Sequence, residues 1–212
     1  MLGELIEAVS RQTIEEWDQA RVFRPLAMVD TSYMPNGNEA ARLATIHQRE
    51  TTGLVEAPNS ETYTPDIRGD GGLVSTATDY AYFVQMFLNE GRWRSQRLLK
   101  PETVRMMTAN QIGSLAVEAM PAAMPRRSAS FPSGAGQDKF GFGFQIAAAE
   151  GRPIHERSAG SYTWGGIYNT HFWIDPKRGV GAVVLTQVLP FYNATSMDVL
   201  KRFEHALYQH LR

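Results

Sequence analysis

The sequence contains no cysteine, and this absence excludes disulfide bonds, thiol catalysis and thiolate ligands for metals. It also lacks an excess of either charge, since 21 lysines and arginines face 22 aspartates and glutamates. No block of like charge stands out, so nothing indicates a nucleic acid or an anionic membrane as a partner. With 212 residues, of which 43% are apolar, the chain can still bury a core without cross-links.

Long hydrophobic runs are absent as well. No stretch approaches the roughly 20 consecutive apolar residues that a membrane span requires. The first residues, Met1–Glu7, are acidic and already follow a helical pattern, so they do not resemble a signal peptide. We therefore predict no membrane span, and the sequence leaves the compartment of the protein open.

Cofactor motifs are missing too. The five histidines include no i, i+4 pair and no His-Glu-x-x-His motif. Gly141-Phe142-Gly143 has neither the third glycine nor the following helix of a dinucleotide site, and no Gly-x-x-x-x-Gly-Lys motif occurs. The sequence therefore predicts no metal and no other cofactor.

The N-terminal region has clear helix signals. Apolar residues recur at helical spacing at Leu2, Leu5, Ile6 and Val9. Thr13 and Glu16 have the spacing of a capping box, which predicts a second helix that ends before Pro25. Residues 30–70 are rich in Asn, Gly, Pro, Thr and Ser, and we expect long loops there with one short strand pair.

The middle of the chain predicts two further helices. Thr76 and Asp79 form another capping-box pattern, and Gly91 stands where a C-terminal glycine ends a helix. Pro101 suits the first turn of the next helix. Residues 116–138 are rich in Ala, Pro, Ser and Gly and are expected to form a surface loop or linker.

The C-terminal third favours antiparallel strands. Residues alternate in polarity over Phe140–Ile146 and over Tyr168–Ile174, which predicts a strand in each. Asp175–Gly179 then turns the chain into a hairpin with Val180–Val188. A cap at Thr195 begins a final amphipathic helix. The order of the elements predicts an α+β class, with an antiparallel sheet flanked by helices.

A nucleophilic serine is the remaining chemical option. Gly160-Ser161-Tyr162-Thr163-Trp164 resembles the Gly-x-Ser-x-Gly elbow only loosely, because both required glycines are missing. No serine is followed three residues later by lysine, and no Tyr-x-Asn occurs. The residues alone therefore show no complete active site, and Ser161 is the one serine that an activity experiment should check.

Several segments nevertheless resemble one family in the same order. Phe23–Thr31 resembles the F-x-P-L-G-M-x-D-T segment of class C β-lactamases, related esterases and low-molecular-mass DD-peptidases, with Ala27 in place of glycine. Gly71–Asp79 is similar to G-G-L-x-S-T-x-x-D, and Leu98–Met107 is similar to L-L-S-P-E-T-V-x-x-M. Trp164–Gly166 resembles the strand motif Trp-Gly-Gly of the family, and the strands downstream of that motif are matched by Phe172–Pro176 and Leu185–Gln187. The resemblance covers essentially the whole chain and includes family VIII carboxylesterases.

This resemblance implies a partial β-lactamase/transpeptidase-like fold that lacks the N-terminal strands and the nucleophile helix. The whole chain, 1–212, would be the C-terminal part of one such domain, with a helical and loop region at 1–138 and strands plus a final helix at 139–212. The helix at Leu2–Ser10 is similar to the helix that follows Tyr-x-Asn in relatives. Ser-x-x-Lys and Tyr-x-Asn are therefore expected upstream of it.

The resemblance also implies roles for residues around the third motif. Members acylate a serine, and the strand with the third motif supplies one amide of the oxyanion hole. By position, that amide belongs to Ile167, while Trp164, Gly165, Gly166 and Tyr168 would line the substrate pocket, with Asn169 nearby. Paired glycines suit close approach of a substrate to the strand backbone. The alternative interpretation is a bulge or tight strand entry beside a packed tryptophan.

Trp164 favours a carboxylesterase over a β-lactamase, because it cannot supply the cation that holds a β-lactam carboxylate. We expect the chain to be part of a serine hydrolase for small esters or β-lactams and to be inactive alone. Its open sheet edge and uncovered helices predict self-association or a separate N-terminal half as partner. The alternative is a naturally short, non-catalytic binding or regulatory protein derived from the same fold.

Overall fold

The structure, a computed structural model, describes residues 2–57, 69, 71–148 and 156–211, and these residues form helices and β-sheets. The helices are α1 (Leu2–Ser10), α2 (Ile14–Asp18), α3 (Arg24–Leu26), α4 (Gly37–Ala40), α5 (Ala77–Leu88), α6 (Pro101–Met107) and α7 (Ala194–His210), with a π-helical segment at Gln19–Phe23. The strands are β1 (His47–Glu50), β2 (Gly53–Glu56), β3 (Arg92–Trp93), β4 (Gln96–Arg97), β5 (Lys139–Phe140), β6 (Gln145–Ile146), β7 (Tyr162–Gly166), β8 (Thr170–Asp175), β9 (Val180–Val184) and β10 (Val188–Leu189). The α+β class is confirmed.

The main sheet has five antiparallel strands in the order β5-β6-β7-β8-β9. A second sheet has the order β10-β1-β2, in which β1 and β2 form the strand pair expected within residues 30–70. β1 and β10 run parallel, with His47 opposite Val188, so this sheet joins the two halves of the chain. β3 and β4 form a separate small hairpin.

The main sheet is covered on both faces. On one face, Phe172 and Ile174 of β8 join Val84 and Phe87 of α5 in the larger core cluster. On the other face, Trp173 packs with residues of α7 in a second cluster. This separation follows from strand geometry, because successive side chains point to opposite faces of a sheet. None of the helices in the part of the chain that the structure describes is long and apolar enough to cross a membrane.

The N-terminal helices are close to expectation, with one correction. The capping box is confirmed, since Thr13 accepts from the Glu16 amide and the Glu16 carboxylate accepts from the Thr13 amide. The prediction that the helix ends before Pro25 is wrong. The Arg24 amide bonds back five residues to the Gln19 carbonyl, and this π-helical register lets a short helical turn continue past the proline to Leu26.

The predicted strand over Phe140–Ile146 is wrong in kind. This segment is a tight hairpin in which Phe140 pairs with Gln145. Gly143 makes the turn possible, because its φ of +87° lies in the left-handed region that side chains disfavour. The two arms of this hairpin and its very short loop together give the same alternation of aromatic or aliphatic residues with glycine or polar residues as one continuous strand. The alternation over Phe140–Ile146 therefore predicts a strand where the chain forms a hairpin.

Two boundaries near the C-terminus also differ from prediction. The strand predicted from Tyr168 begins instead at Thr170. The final helix is capped by Asn193, whose side chain accepts from the Ser196 amide, and not by Thr195, which lies inside the helix. The turn at 176–179 between β8 and β9 is as predicted, whereas the predicted strand over Val180–Val188 divides into β9 and β10.

Candidate functional site

The strand β7 has an unpaired segment of backbone at the third-motif position. All five residues of β7 pair with β8, but only Tyr162 and Thr163 pair with β6. Within the described ranges, Trp164–Gly166 therefore have no strand partner on the β6 side. Such a segment can form backbone hydrogen bonds with an extended ligand. The pairing with β8 is regular here, so the segment contains no bulge, whereas the other alternative, a tight strand beside a packed tryptophan, stays open.

Each of the two glycines lies against a side chain of the protein, Gly165 on the α7 face of the sheet and Gly166 on the opposite face. A Cβ on Gly165 would stand 3.0 Å from Nδ1 of His171 and 3.2 Å from the ring of Phe191. A Cβ on Gly166 would overlap the hydroxyl of Thr170. Other atoms therefore do come close to both glycines, as expected, but at these Cβ positions the neighbouring atoms are side chains of the protein and not a substrate.

Trp164 lies within an aromatic cluster on the opposite face. Its ring packs edge-on against Phe131 at 4.9 Å and against Phe140 at 5.2 Å between centroids. Phe131 is brought there by the 116–138 segment, in which Met120 and Phe131 pair as an antiparallel bridge. The cluster fixes the indole as an apolar wall next to the unpaired backbone of β7.

Ile167 and Tyr168 lie in the turn that connects β7 to β8. Ile167 directly follows the strand, and 41% of its surface is exposed. Asn169 closes the turn with a φ of +58° and is almost completely buried. Its amide donates to the carbonyls of Val188 and Pro190 at 2.7 and 2.9 Å. Asn169 therefore holds the turn in place, whereas Ile167 stays accessible.

Ser161 is an unsuitable nucleophile in this structure. Its exposure is 1%, and its buried hydroxyl has no hydrogen-bond partner, so no base contacts it. A reagent would have to enter the core to reach this oxygen. Among the residues that the structure describes, no three His, Asp or Glu side chains are grouped as metal ligands.

Two of the family-like segments are joined by a buried carboxylate. Asp79 accepts from the Asp30 amide and from the Thr31 hydroxyl, each at 2.8 Å. Thr31 in turn shares a 2.8 Å hydrogen bond with Ser75. Thr76 caps α5 as predicted, but the Asp79 side chain does not complete the capping box. These residues have a structural role that explains their spacing.

His171 is the residue that sequence reasoning missed. It is 7% exposed, and its Nε2 is buried without a hydrogen-bond partner. Burial, with a smaller effect from the Arg157 guanidinium, lowers the pKa of His171 to about 4. The available signal was the alternation of Thr170, Phe172 and Ile174 with His171 and Trp173, which places His171 on the opposite face of the strand from Phe172.

Comparison with known proteins places this geometry in context. A family model described as "Beta-lactamase" matches residues 1–205. Lovastatin esterase of Penicillium rubens is 30% identical over an alignment of 230 residues. The match covers 98% of this chain and 53% of that protein. Monacolin J acid methylbutanoyltransferase of Aspergillus terreus is 26% identical, covering 97% of this chain and 51% of the relative. The chain thus spans about half the length of the curated relatives it matches.

Solved structures show the same fold. A mutant of simvastatin synthase from Aspergillus terreus superimposes with a TM-score of 0.81 at 24% identity, covering 99% of this chain and 53% of that chain. A β-lactamase from Mycobacterium bovis superimposes with a TM-score of 0.65 at 19% identity, covering 99% of this chain and 61% of that chain. Likeness at such identity concerns the fold alone.

Proposed function

Since the chain belongs to the β-lactamase family of serine hydrolases, we propose that it forms the substrate-binding part of a carboxylesterase that acts through an acyl-serine intermediate. The observation that carries this proposal is the unpaired backbone of β7 at Trp164–Gly166, followed at once by the accessible Ile167. In this proposal the nucleophile lies outside these residues, because the sequence holds no Ser-x-x-Lys.

In this proposal the backbone amide of Ile167 has a defined task in acyl transfer. The incoming serine oxygen attacks the ester carbonyl and loses its proton to a base, and the carbonyl oxygen becomes an anion. The Ile167 amide donates to that oxyanion, an interaction of about 3 kcal/mol in the transition state. The base then gives the proton to the leaving alcohol as its carbon–oxygen bond breaks, and water later attacks the acyl-serine and releases the acid and the free serine.

The surroundings of β7 favour esters over β-lactams. Trp164, Phe131 and Phe140 present aromatic carbon next to the strand and supply no cation for a carboxylate. Gly165 and Gly166 add no side chain beside the unpaired edge of the strand, and Tyr168 lies in the adjoining turn. Lovastatin esterase, by its name, acts on an ester, which supports this choice of substrate class.

The first experiment measures hydrolysis of p-nitrophenyl butyrate by the chain alone, together with labelling by a fluorophosphonate. We expect no turnover and no labelling, since the one candidate oxygen, that of Ser161, is buried. Labelling that disappears in Ser161→Ala would contradict the proposal, because the chain would then carry its own nucleophile.

A second experiment supplies the missing groups. The chain is co-expressed with the portion of Penicillium rubens lovastatin esterase that it does not match. We expect ester hydrolysis, with the label on the added polypeptide and at least about tenfold lower kcat in Trp164→Ala. If the two polypeptides associate but never hydrolyse an ester, the non-catalytic binding protein becomes the better description.

A further inference from the structure

An Asn-Gly pair lies on the protein surface where the chain enters α4. Asn36 is the one asparagine of the sequence that is followed directly by glycine. Asn36, Gly37 and Asn38 are all exposed to solvent. The segment that carries them is closed by an ion pair between the Arg42 guanidinium and the Asp30 carboxylate. Water therefore reaches both residues of the pair in the folded protein.

A capping box holds the side chain of Asn36. Its Oδ1 accepts hydrogen bonds from the Asn38 amide at 3.0 Å and from the Glu39 amide at 3.3 Å. The Glu39 carboxylate accepts in turn from the Asn36 amide at 2.7 Å. The two donors to Oδ1 draw electron density from Cγ, the carbon atom of the side-chain amide, and this polarisation favours attack of a nucleophile on Cγ.

The backbone nitrogen of Gly37 is the nucleophile that the chain itself supplies. Gly37 is the first residue of α4, so its amide has no acceptor inside the helix. No atom lies within 4 Å of the position that a Cβ on Gly37 would occupy, so the approach of this nitrogen is unobstructed. Within the described ranges, Nδ2 of Asn36, which would be the leaving group, donates no hydrogen bond either.

We propose that Asn36 is a self-modification site, at which the chain exchanges ammonia for water at a rate that the capping box limits. The Gly37 nitrogen attacks Cγ of Asn36 and gives its proton to water, while the side-chain amide takes up a proton and leaves as ammonia. The product is a cyclic succinimide. Water opens this ring at the new nitrogen–Cγ bond to give aspartate, or at the original peptide bond to give isoaspartate.

The capping box limits the rate because it fixes the backbone of Asn36. The ψ angle of this residue is 175°, and the chain must rotate about this angle before the Gly37 nitrogen reaches Cγ. The hydrogen bond from the Asn36 amide to the Glu39 carboxylate opposes the rotation. Removal of that carboxylate should therefore speed up the reaction, whereas the donors to Oδ1 are backbone amides and remain.

The two products differ in their effect on α4. Aspartate keeps an acceptor oxygen at position 36 and also serves as an N-cap. Isoaspartate places the side-chain carbon atoms in the main chain, so the capping box with Glu39 cannot form again. The modification uses no oxidant, reductant or enzyme, and it does not depend on the proposed ester chemistry.

Incubation of the purified chain in mildly alkaline buffer tests the proposal. Mass spectrometry of its peptides detects replacement of NH2 by OH, and an isoaspartyl methyltransferase labels isoaspartate. We expect both signals at Asn36 and neither at Asn38, which is also exposed but precedes glutamate. Gly37→Ala should slow the conversion at least about tenfold, because its methyl group hinders the attacking nitrogen.

Two glutamate variants test the part of the capping box. Glu39→Ala should accelerate the conversion at least about threefold, since a lost cap lowers the barrier to rotation. Glu118→Ala removes an exposed carboxylate elsewhere and should react as the wild type does. Circular dichroism checks that each variant is folded. The proposal is overturned if Asn36 of the folded wild type stays intact over weeks, if Gly37→Ala converts as fast as wild type, or if Glu39→Ala converts no faster.

Discussion

The imidazole of His171 lies directly across the β7–β8 ladder from Gly165, with its Nδ1 3.0 Å from the position that a Cβ on Gly165 would occupy. The Phe191 ring stacks on the imidazole and lies 3.2 Å from the same position. The glycine is therefore a packing requirement of the sheet on this face, in addition to any effect on a substrate.

Replacing Gly165 by alanine should destabilise the fold. In Gly165→Ala the new methyl group forces the His171 and Phe191 rings to move by a few tenths of an ångström, which costs about 1–2 kcal/mol. Urea denaturation measures the change. Gly37→Ala is the control, because no atom lies within 4 Å of its Cβ position, and it should stay within about 0.5 kcal/mol of wild type. Equal stability of both variants would remove the packing explanation.

His171 should make stability depend on pH. Its folded pKa of about 4 is below the unfolded value of 6.5, so acid protonates the unfolded chain first. Stability is complete above pH 6.5 and falls between 6.5 and 4, by about 2 kcal/mol from about pH 7.5 to about pH 5. The free energy of unfolding from urea titrations at both pH values measures this loss.

His171→Phe is the matched variant for that measurement. Burial raises the pKa values of Asp18 and Glu204, so these carboxyls act in the opposite direction and stabilise the fold as the pH falls. The difference between wild type and His171→Phe removes their contribution. Identical pH profiles for the two proteins would show that the imidazole is not held neutral.

The carboxylate of Asp79 should contribute to stability out of proportion to its size. It is 4% exposed and accepts two 2.8 Å hydrogen bonds. Asp79→Ala therefore leaves the Asp30 amide without its acceptor and leaves the Thr31 hydroxyl with Ser75 as its one remaining partner. We expect a loss of about 2–4 kcal/mol in urea denaturation. Asp198→Ala removes an exposed carboxylate and should cost less than about 1 kcal/mol. A similar cost for both would contradict this role.

The apolar stripe of α1 should drive self-association. Leu2, Leu5 and Val9 recur on one helix face and are 78%, 57% and 78% exposed. Light scattering after size-exclusion chromatography should show oligomers for wild type and smaller species for Leu5→Lys/Val9→Lys. Val29→Lys, which changes one isolated exposed valine, should leave the distribution unchanged. A monomeric wild type would contradict the expectation.

Local signals predicted the parts of the fold that depend on near neighbours. The capping box at Thr13 and the turn after Asp175 are confirmed because each is completed within a few residues. The hairpin at 139–146 was missed because its two arms share one alternating pattern. The helix end predicted at Pro25 is wrong because the π-helical turn at Gln19–Phe23 shifts the backbone hydrogen-bond register before the proline. Sequence periodicity does not reveal that shift.

The site was only partly accessible to sequence reasoning. Trp164–Gly166 could be singled out by resemblance, and the role of Ile167 remains a proposal. Asn169 was expected near the pocket, but its buried amide serves the turn. Contacts between distant segments thus decided which polar residues meet.

The parallel pairing of β1 with β10 has a consequence for how the protein is made. His47 leaves the ribosome long before Val188, its partner in the sheet. The β1–β2 hairpin must therefore wait with one edge unpaired while most of the remaining chain is synthesised, and such distant pairings form slowly. Until Val188 emerges, the β1 edge of this hairpin stays unpaired and accessible to chaperones and proteases.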